Sequence, residues 1–470
     1  MHLQLHIVFR NLPKGLPLLR EMNSYKLLTE VFTVPFGEAH LVYAPLRRTA
    51  FVANGETVAT IKLLAKGALE SPNNHQLELI RFLDAIGLMG DGGDQQVFGL
   101  GQDIFAPIEV TLLLTSECNL RCKYCYASAG DVPIVRMTLE SAKRGIDYVL
   151  ANALRIGSNW IGVHYHGGGE PTLNHEVLIA SREYAAILAQ EHQLQVYSTV
   201  TTNGVIPPGI RHWIISNLHA ASVSLDGPPS INDLNRPNRS GAGSGNKVLE
   251  TLKEFDEARF KYGIRVTVTA FTVAEIPNII QFIVQHAQPH AIRIEPVYNI
   301  GRGSEISLQV DVASFVEGYI RGKEIAQKAG IPLLYSAARL NTLSSRFCRA
   351  YGEGFTLTSE GKVTGCFEVT DAGATFSEKM IFGRFDEPES RFIFDDTLLT
   401  TMRMHNVSRQ PYCDDCFAKW HCSGDCPNKV NHALIDGQFS GMPSCEITRS
   451  ILLSELIELI EQSGGVVWRG

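Results

Sequence analysis

The 470-residue sequence has no cysteine before Cys118 and none between Cys125 and Cys348. Core thiols would be scattered, and a reduced chain of this size needs no covalent staples, so the ten clustered cysteines argue against packing and disulfides and for metal. No run is long and apolar enough to cross a bilayer. Charged residues make up 19% and the net charge is −7. Neither gives nucleic acid or an anionic membrane an electrostatic reason to bind, and no such partner is expected. Residues 1–20 lack the charged region, apolar stretch and small-residue cleavage site of an export signal, so a mature cytosolic protein is expected. There is no internal repeat and no low-complexity tract.

What is present divides by pattern. Residues 1–105 read as a small α+β unit. Strands are expected at 40–45 and 49–53, a turn at Asn54-Gly55, and helices at 56–66 and 74–88, with a glycine-rich break at 90–93. Two strands followed by two helices suit a winged-helix-like module. Residues 106–325 alternate apolar, β-branched strands with helices. Strands are expected at 108–115, 160–166, 195–202, 221–226, 264–272 and 291–297, and helices at 139–154, 176–191 and 247–262, among others. Six β-then-α repeats imply parallel strands in a full or partial barrel, where chemistry gathers at the C-terminal strand ends. Residues 340–450 hold seven of the cysteines and few long periodic segments, as when metal replaces an apolar core. A closing helix is expected at 447–462, and residues 451–470 are set apart as a C-terminal helix and tail.

Cys118, Cys122 and Cys125 follow the first barrel strand with spacings of three and two residues. Three thiolates hold three corners of a four-iron cubane and leave one iron without a protein ligand. A zinc site would want a fourth Cys or His nearby, and the loop has none. CxxxCxxC after the first strand of a β/α barrel resembles the radical S-adenosylmethionine (SAM) superfamily. The resemblance implies that SAM chelates the open iron. One electron from the cluster then cleaves it to methionine and a 5′-deoxyadenosyl radical. An electron donor such as flavodoxin or ferredoxin is implied. Tyr124 holds the aromatic position that lies beside the adenine in this family.

Further motifs end successive strands. Gly167-Gly168-Gly169-Glu170-Pro171 matches the family's GGEP element, with Glu170 near the SAM amino group. Gly168 and Gly169 allow close backbone approach. Asn203 ends the third strand within Thr201-Thr202-Asn203-Gly204. On the fourth strand, Ser224 resembles the hydroxyl that binds the SAM carboxylate or ribose. Arg236 and Arg239 follow on a polar loop, and Arg236 is the expected carboxylate partner. His164 and His166 share one strand face and are expected to be hydrogen-bonded rather than metal ligands. Asp226 and Glu295, at the same rim, are candidate proton-transfer residues.

The C-terminal spacing runs Cys348-x12-Gly361-x4-Cys366, then Cys413-x2-Cys416-x5-Cys422-x3-Cys426, then Cys445. Spacing alone leaves a double zinc ribbon open. The pattern resembles the SPASM domain, which carries auxiliary clusters in peptide-modifying radical SAM enzymes. The resemblance assigns Cys413, Cys416, Cys422 and Cys445 to one [4Fe-4S] cluster and Cys348, Cys366 and Cys426 to another, making three clusters with the SAM-binding one. Some relatives have an eighth cysteine after the position of Cys348. Here 349–360 contains none, so that cluster has an open iron or a non-cysteine ligand. The first hundred residues resemble, loosely, the leader-recognition domain of maturases of ribosomally made peptides. The expected function is radical SAM modification of a precursor peptide, forming a thioether or carbon–carbon crosslink. An anaerobic sulfatase-maturase activity, forming formylglycine, is the second reading. A zinc-binding peptide scaffold is the non-enzyme reading.

Overall fold

The computed structural model describes residues 26–27, 29–89, 104–370, 376–464 and 467–469. β1 (Phe32–Phe36), β2 (Ala39–Ala44) and β3 (Thr49–Ala53) form an antiparallel meander. α1 (Gly55–Ala65) follows at once because Asn54 caps it: its Oδ1 accepts from the Thr57 N–H at 2.8 Å. Asn54-Gly55 therefore starts a helix instead of closing a turn. α2 (Asn74–Ala85) begins with a reciprocal capping box between Asn73 and Gln76. The helices lay Ile61, Leu64, Leu79, Ile80 and Leu83 against Val42 and Phe51 of the sheet. β1 was absent from the two strands expected here, and the break expected at 90–93 lies outside the described residues.

β4 (Glu109–Leu113), β5 (Trp160–His166), β6 (Gln195–Thr202), β7 (Ala220–Ser224), β8 (Tyr262–Val268) and β9 (Ile292–Pro296) are parallel in sequence order. They are joined through α3 (Leu139–Ile156), α4 (His175–Glu191), α5 (Pro208–Asn217), α6 (Pro229–Asn235), α7 (Gly245–Glu257) and α8 (Ile276–His286). β8 starts and stops earlier than expected, because Thr269 to Thr272 turn on their own side chains: Thr269 N–H donates to Thr272 Oγ1 at 3.0 Å. One face of each strand packs on the helices. Val110, Leu112, Ile161, Val163, Val223, Ile264, Val266, Ile292 and Ile294 meet Ile146, Val149, Leu252, Phe255, Ile280 and Ile283. Polar residues alternate with them on the inner face.

The sheet does not close. After α9 (Val312–Lys328), β10 (Leu333–Leu334) adds in parallel to β9. At the other edge β11 (Thr356–Leu357) pairs in parallel with β4. It continues antiparallel through β12 (Lys362–Thr364), β13 (Ile381–Asp386) and β14 (Arg391–Phe394). The result is an eleven-stranded open sheet around a partial barrel, and the cysteine-rich region supplies its last four strands.

The remaining elements are α10 (Asp396–Met404), α11 (Lys419–Cys422), α12 (Pro427–His432), β15 (Leu434–Ile435), β16 (Gln438–Phe439), α13 (Pro443–Gln462) and β17 (Val467–Arg469). α13 starts before the expected position, with Pro443 in its first turn. Its Leu452, Leu456 and Ile460 pack with Phe417 against Phe32, Leu41 and Tyr43 of the N-terminal sheet. Tyr43 Oη and His421 Nε2 lie 2.6 Å apart, and Glu30 bonds both Lys419 and Trp420. β17 then pairs antiparallel with β3, so the chain's last described residues add a fourth strand to its first sheet. Among the described residues, no helix is long and apolar enough to cross a membrane.

Candidate active site

β4 hands the chain to the loop bearing Cys118, Cys122 and Cys125. The loop is pinned by backbone bonds: Arg121 N–H to Pro237 O at 2.7 Å, and Lys123 N–H to Asn235 O at 2.9 Å. Arg302 holds it from the other side, with its N–H on Cys125 O at 3.0 Å and its Nε on Cys122 O at 2.9 Å. That approach needs Gly301, whose φ is +57° and where a Cβ would come within 2.3 Å of Tyr126 O. Donors also reach the sulfurs. Leu120 N–H lies 3.4 Å and Asn203 Nδ2 3.6 Å from Cys118 Sγ, and Ala129 N–H lies 3.5 Å from Cys125 Sγ. Such donors steady thiolates and tune a cluster they hold. Burial, then the nearby Glu170 charge, pushes the Cys118 thiol up to about 12. Burial also raises Cys122. Such thiols ionise only with a compensating cation, which cluster irons supply.

The three thiols share one cavity of about 210 Å³ with Gly168, Gly169, Glu170, Asn203, Ser224, Arg236 and Glu295. Most of its wall is strand ends. Gly169 lets the β5 loop press on the cysteine loop: its N–H donates to Thr115 O at 2.9 Å, and a Cβ would stand 1.9 Å from Glu117 O. Pro171 lies behind the wall, buried at the start of a short turn. Asn203 ties β6 to the cysteine loop through Asn119 Oδ1 at 2.7 Å.

Glu170 is buried, and burial raises its carboxyl above the usual range. Its Oε1 accepts from Thr172 N–H and Oγ1 and from Thr202 Oγ1, while among the described residues Oε2 accepts only from Asn203 N–H, at 2.7 Å. One lone pair of Oε2 is left for a further donor. Tyr124 Oη donates to Asp226 Oδ2 and accepts from Arg236 Nη1, both at 2.6 Å. Arg236 is 6% exposed, and its Nε has no partner among the described residues. Ser224 and Arg265, paired in register on β7 and β8, also face the cavity. A spare carboxylate lone pair and an unpaired guanidinium N–H match the ammonium and carboxylate of an α-amino acid, as in SAM.

Other assignments move. Arg236 lines the cavity, whereas Arg239 meets the cysteine loop through its backbone N–H on Asn119 O at 3.3 Å. Asp226 lies behind the wall, its two oxygens accepting from Tyr124, Asn235 and the Thr267 N–H. Glu295 lines the cavity and accepts from Ser336 N–H at 2.9 Å and from Tyr298 Oη. His166 lines it too, stacked on Phe367 with ring centroids 4.4 Å apart and held down to about 4 by burial and by Arg265. His164 turns to Thr199 Oγ1 at 2.8 Å and Glu109 Oε2 at 3.1 Å, deeper in the barrel. Sequence reasoning missed Arg265, Thr202, Phe367 and Glu368. For Arg265 the strand's two-residue period carried the signal, and for Phe367 and Glu368 it was their place directly after Cys366.

Cys413, Cys416, Cys422 and Cys445 line one small cavity, with Arg449 hydrogen-bonded to Cys416. Cys348, Cys366 and Cys426 form a second group. Burial raises all three thiols above the usual range. Among the described residues no three His, Cys, Asp or Glu side chains converge as one metal ion requires. Cluster ligands each hold their own iron and need no such convergence.

Residues 112–283 match the family model of the radical SAM superfamily. Fe-coproporphyrin III synthase of Methanosarcina barkeri is 28% identical over 196 residues, covering 41% of this chain and 45% of that protein. The cysteine-type anaerobic sulfatase-maturating enzyme of Clostridium perfringens is 25% identical over 36% of this chain and 46% of its own length. The sporulation killing factor maturation protein SkfB of Bacillus subtilis is 23% identical over 56% and 61%. The chain thus spans about half the length of these three curated relatives. The fold of anSMEcpe with bound AdoMet matches with a TM-score of 0.59 at 17% identity, covering 77% of this chain and 96% of that one. Streptococcus suis SuiB bound to S-adenosylmethionine gives 0.52 at 14%, covering 89% and 99%. The family match falls on the strands and loop that position Cys118, Cys122 and Cys125, so residues 112–283 carry a radical SAM domain.

Proposed function

We propose that this chain modifies a ribosomally made precursor peptide, forming a thioether or carbon–carbon crosslink. The observation that carries the reading is the shared wall. One side of the cavity is the Cys118–Cys122–Cys125 loop, and another is Phe367 and Glu368, which directly follow Cys366 of the C-terminal cysteine region. A substrate entering this cavity meets both cysteine systems at once. When bound, the SAM-binding cluster and SAM supply one-electron chemistry, and the two auxiliary clusters supply further redox centres. The chain's residues do the rest. Glu170 Oε2 takes the SAM ammonium, Arg236 and Ser224 take its carboxylate, and Tyr124 is locked by Asp226 as part of the wall. An electron donor such as flavodoxin or ferredoxin approaches from outside, where Arg121, Lys123 and Arg302 flank the cysteine loop. The three strands and two helices of residues 32–85 recognise the leader of the precursor by strand addition.

The sulfatase-maturase reading has its own support: a serine-type anaerobic sulfatase-maturating enzyme of Klebsiella aerogenes aligns over 72% of this chain and 85% of its own length. One experiment separates them. Anaerobically reconstituted protein, with SAM and dithionite, is offered a precursor peptide encoded beside its gene and, separately, a sulfatase-motif peptide. Loss of two hydrogens from the precursor is expected, with 5′-deoxyadenosine release that fails when Cys118, Cys122 and Cys125 become Ala. Formylglycine in the sulfatase peptide would establish the second reading, and zinc in place of iron would leave only the scaffold.

A further inference from the structure

A cubane offers four irons, each wanting one outer ligand. Cys348, Cys366 and Cys426 are one short. Glu368 stands beside them. It follows Cys366 by two residues. Its Oε2 accepts from Asn428 Nδ2 at 3.1 Å, and Asn428 follows Cys426 by two residues. Glu368 is thus stitched to two of the three cysteine segments, and its charge bears on Cys348 as well. Its Oε1 accepts no hydrogen bond from the described residues. Three thiols and a carboxylate crowd one region in which Cys366 and Cys426 are buried. Deprotonated, as cluster ligands must be, such a group is costly unless a cation lies among them. Lys429 does not fill that role alone, because its Nζ lies 3.2 Å from the Tyr298 ring centroid and 3.7 Å from Asp425. Asp425 is the other carboxylate at hand, but it is committed: it accepts from the Cys426 N–H and from Ser444 Oγ, both at 2.6 Å.

We infer that the Glu368 carboxylate is the fourth ligand of the auxiliary cluster held by Cys348, Cys366 and Cys426. The inference rests on the auxiliary-cluster reading and deepens it. Glu368 also lines the SAM-side cavity, so the iron it caps is the one turned toward the substrate. Capped, that iron is closed to a substrate thiolate.

The test uses the full chain with Cys118, Cys122 and Cys125 changed to Ala, so that only auxiliary clusters contribute. Reconstituted with iron-57, it is expected to hold about eight irons, four per cluster. Its reduced EPR and Mössbauer spectra should ignore excess 2-mercaptoethanol. With Glu368→Gln, which retains a partner for Asn428 but ligates poorly, the thiol should change the spectra. Ferricyanide should then raise the yield of a three-iron form. Glu368→Cys should keep all the iron, resist the thiol and move that cluster to a more negative potential, because thiolate donates more charge than carboxylate. A thiol response with Glu368 intact, or Glu368→Gln spectra matching the parent's in both conditions, would overturn the ligand assignment and leave the clusters standing. About four irons or fewer in the parent would sink the auxiliary-cluster reading itself.

Discussion

Asp226 and Arg236 are 1% and 6% exposed, and buried charges persist only when paired and hydrogen-bonded. Tyr124 makes that possible by donating to one and accepting from the other. Asp226 does not line the cavity and accepts from Tyr124, Asn235 and Thr267, an arrangement that fits a positioning role. Asp226→Asn should destabilise the protein by about 3 kcal/mol and weaken SAM binding, while the pH profile of 5′-deoxyadenosine release keeps its shape. Urea unfolding, SAM titration and the profile together check this, and a lost limb in the profile would restore the proton-transfer role. His166 sets a different dependence. It is held at about 4, below an ordinary imidazole near 6.5, so the unfolded chain binds its proton first. Its contribution to stability is intact above about 6.5 and is lost as pH falls toward 4, by at most about 1.4 kcal/mol per pH unit. Urea midpoints for the parent and His166→Asn between pH 7 and 4.5 should converge as the solution acidifies. At this scale the gathering of Cys118, Cys122, Cys125, Glu170 and Arg236 around one cavity was legible, because residue type and spacing at strand ends carry it. That His164 is hydrogen-bonded was expected, but its partners Thr199 and Glu109, like those that surround Asp226, come from distant segments and were not legible.

The GGGEP loop shows how an element enforces the site. Gly169 has no room for a side chain, because the obstacle is the backbone of Glu117, whereas at Gly168 the nearest atom is Thr370 Cγ2 at 2.9 Å. A side-chain end can move and a pinned backbone cannot. Gly169→Ala should cost about 3 kcal/mol, the upper end for overpacking, and lower the iron retained by the Cys118 loop. Gly168→Ala should cost less and keep its iron. Thermal unfolding and iron content compare the two, and equal effects would refute the distinction. Among elements, the long barrel strands were readable from their periodicity. β11 and β12 were not, because two or three residues carry no period, and their strand character comes from β4 waiting as an open edge.

On the scale of the molecule, the N-terminal sheet and the C-terminal cysteine region are fused. Removing residues 1–105 would bare Phe417, Leu452, Leu456 and Ile460, so that deletion tests solubility before it tests recognition. Truncation after Gly464 is the cleaner probe. It removes β17, which pairs Val467 with Phe51 and Arg469 with Thr49, and opens the β3 edge. A labelled leader peptide should then bind more tightly by anisotropy, with little change in melting temperature. Weaker binding would make β17 part of the recognition surface.

Residue identity and spacing by themselves determined the clustering of the cysteines, the β/α alternation and the likeness of residues 112–283 to the radical SAM family, because cysteine spacing and strand period are local properties. Only the tertiary structure decided which carboxylates are spent on neighbours and which remain available. It also decided that the barrel stays open to accept four strands from the cysteine region, and that the chain's end completes its first sheet. Those outcomes depend on which edges and buried groups meet across hundreds of residues, and no local pattern records that.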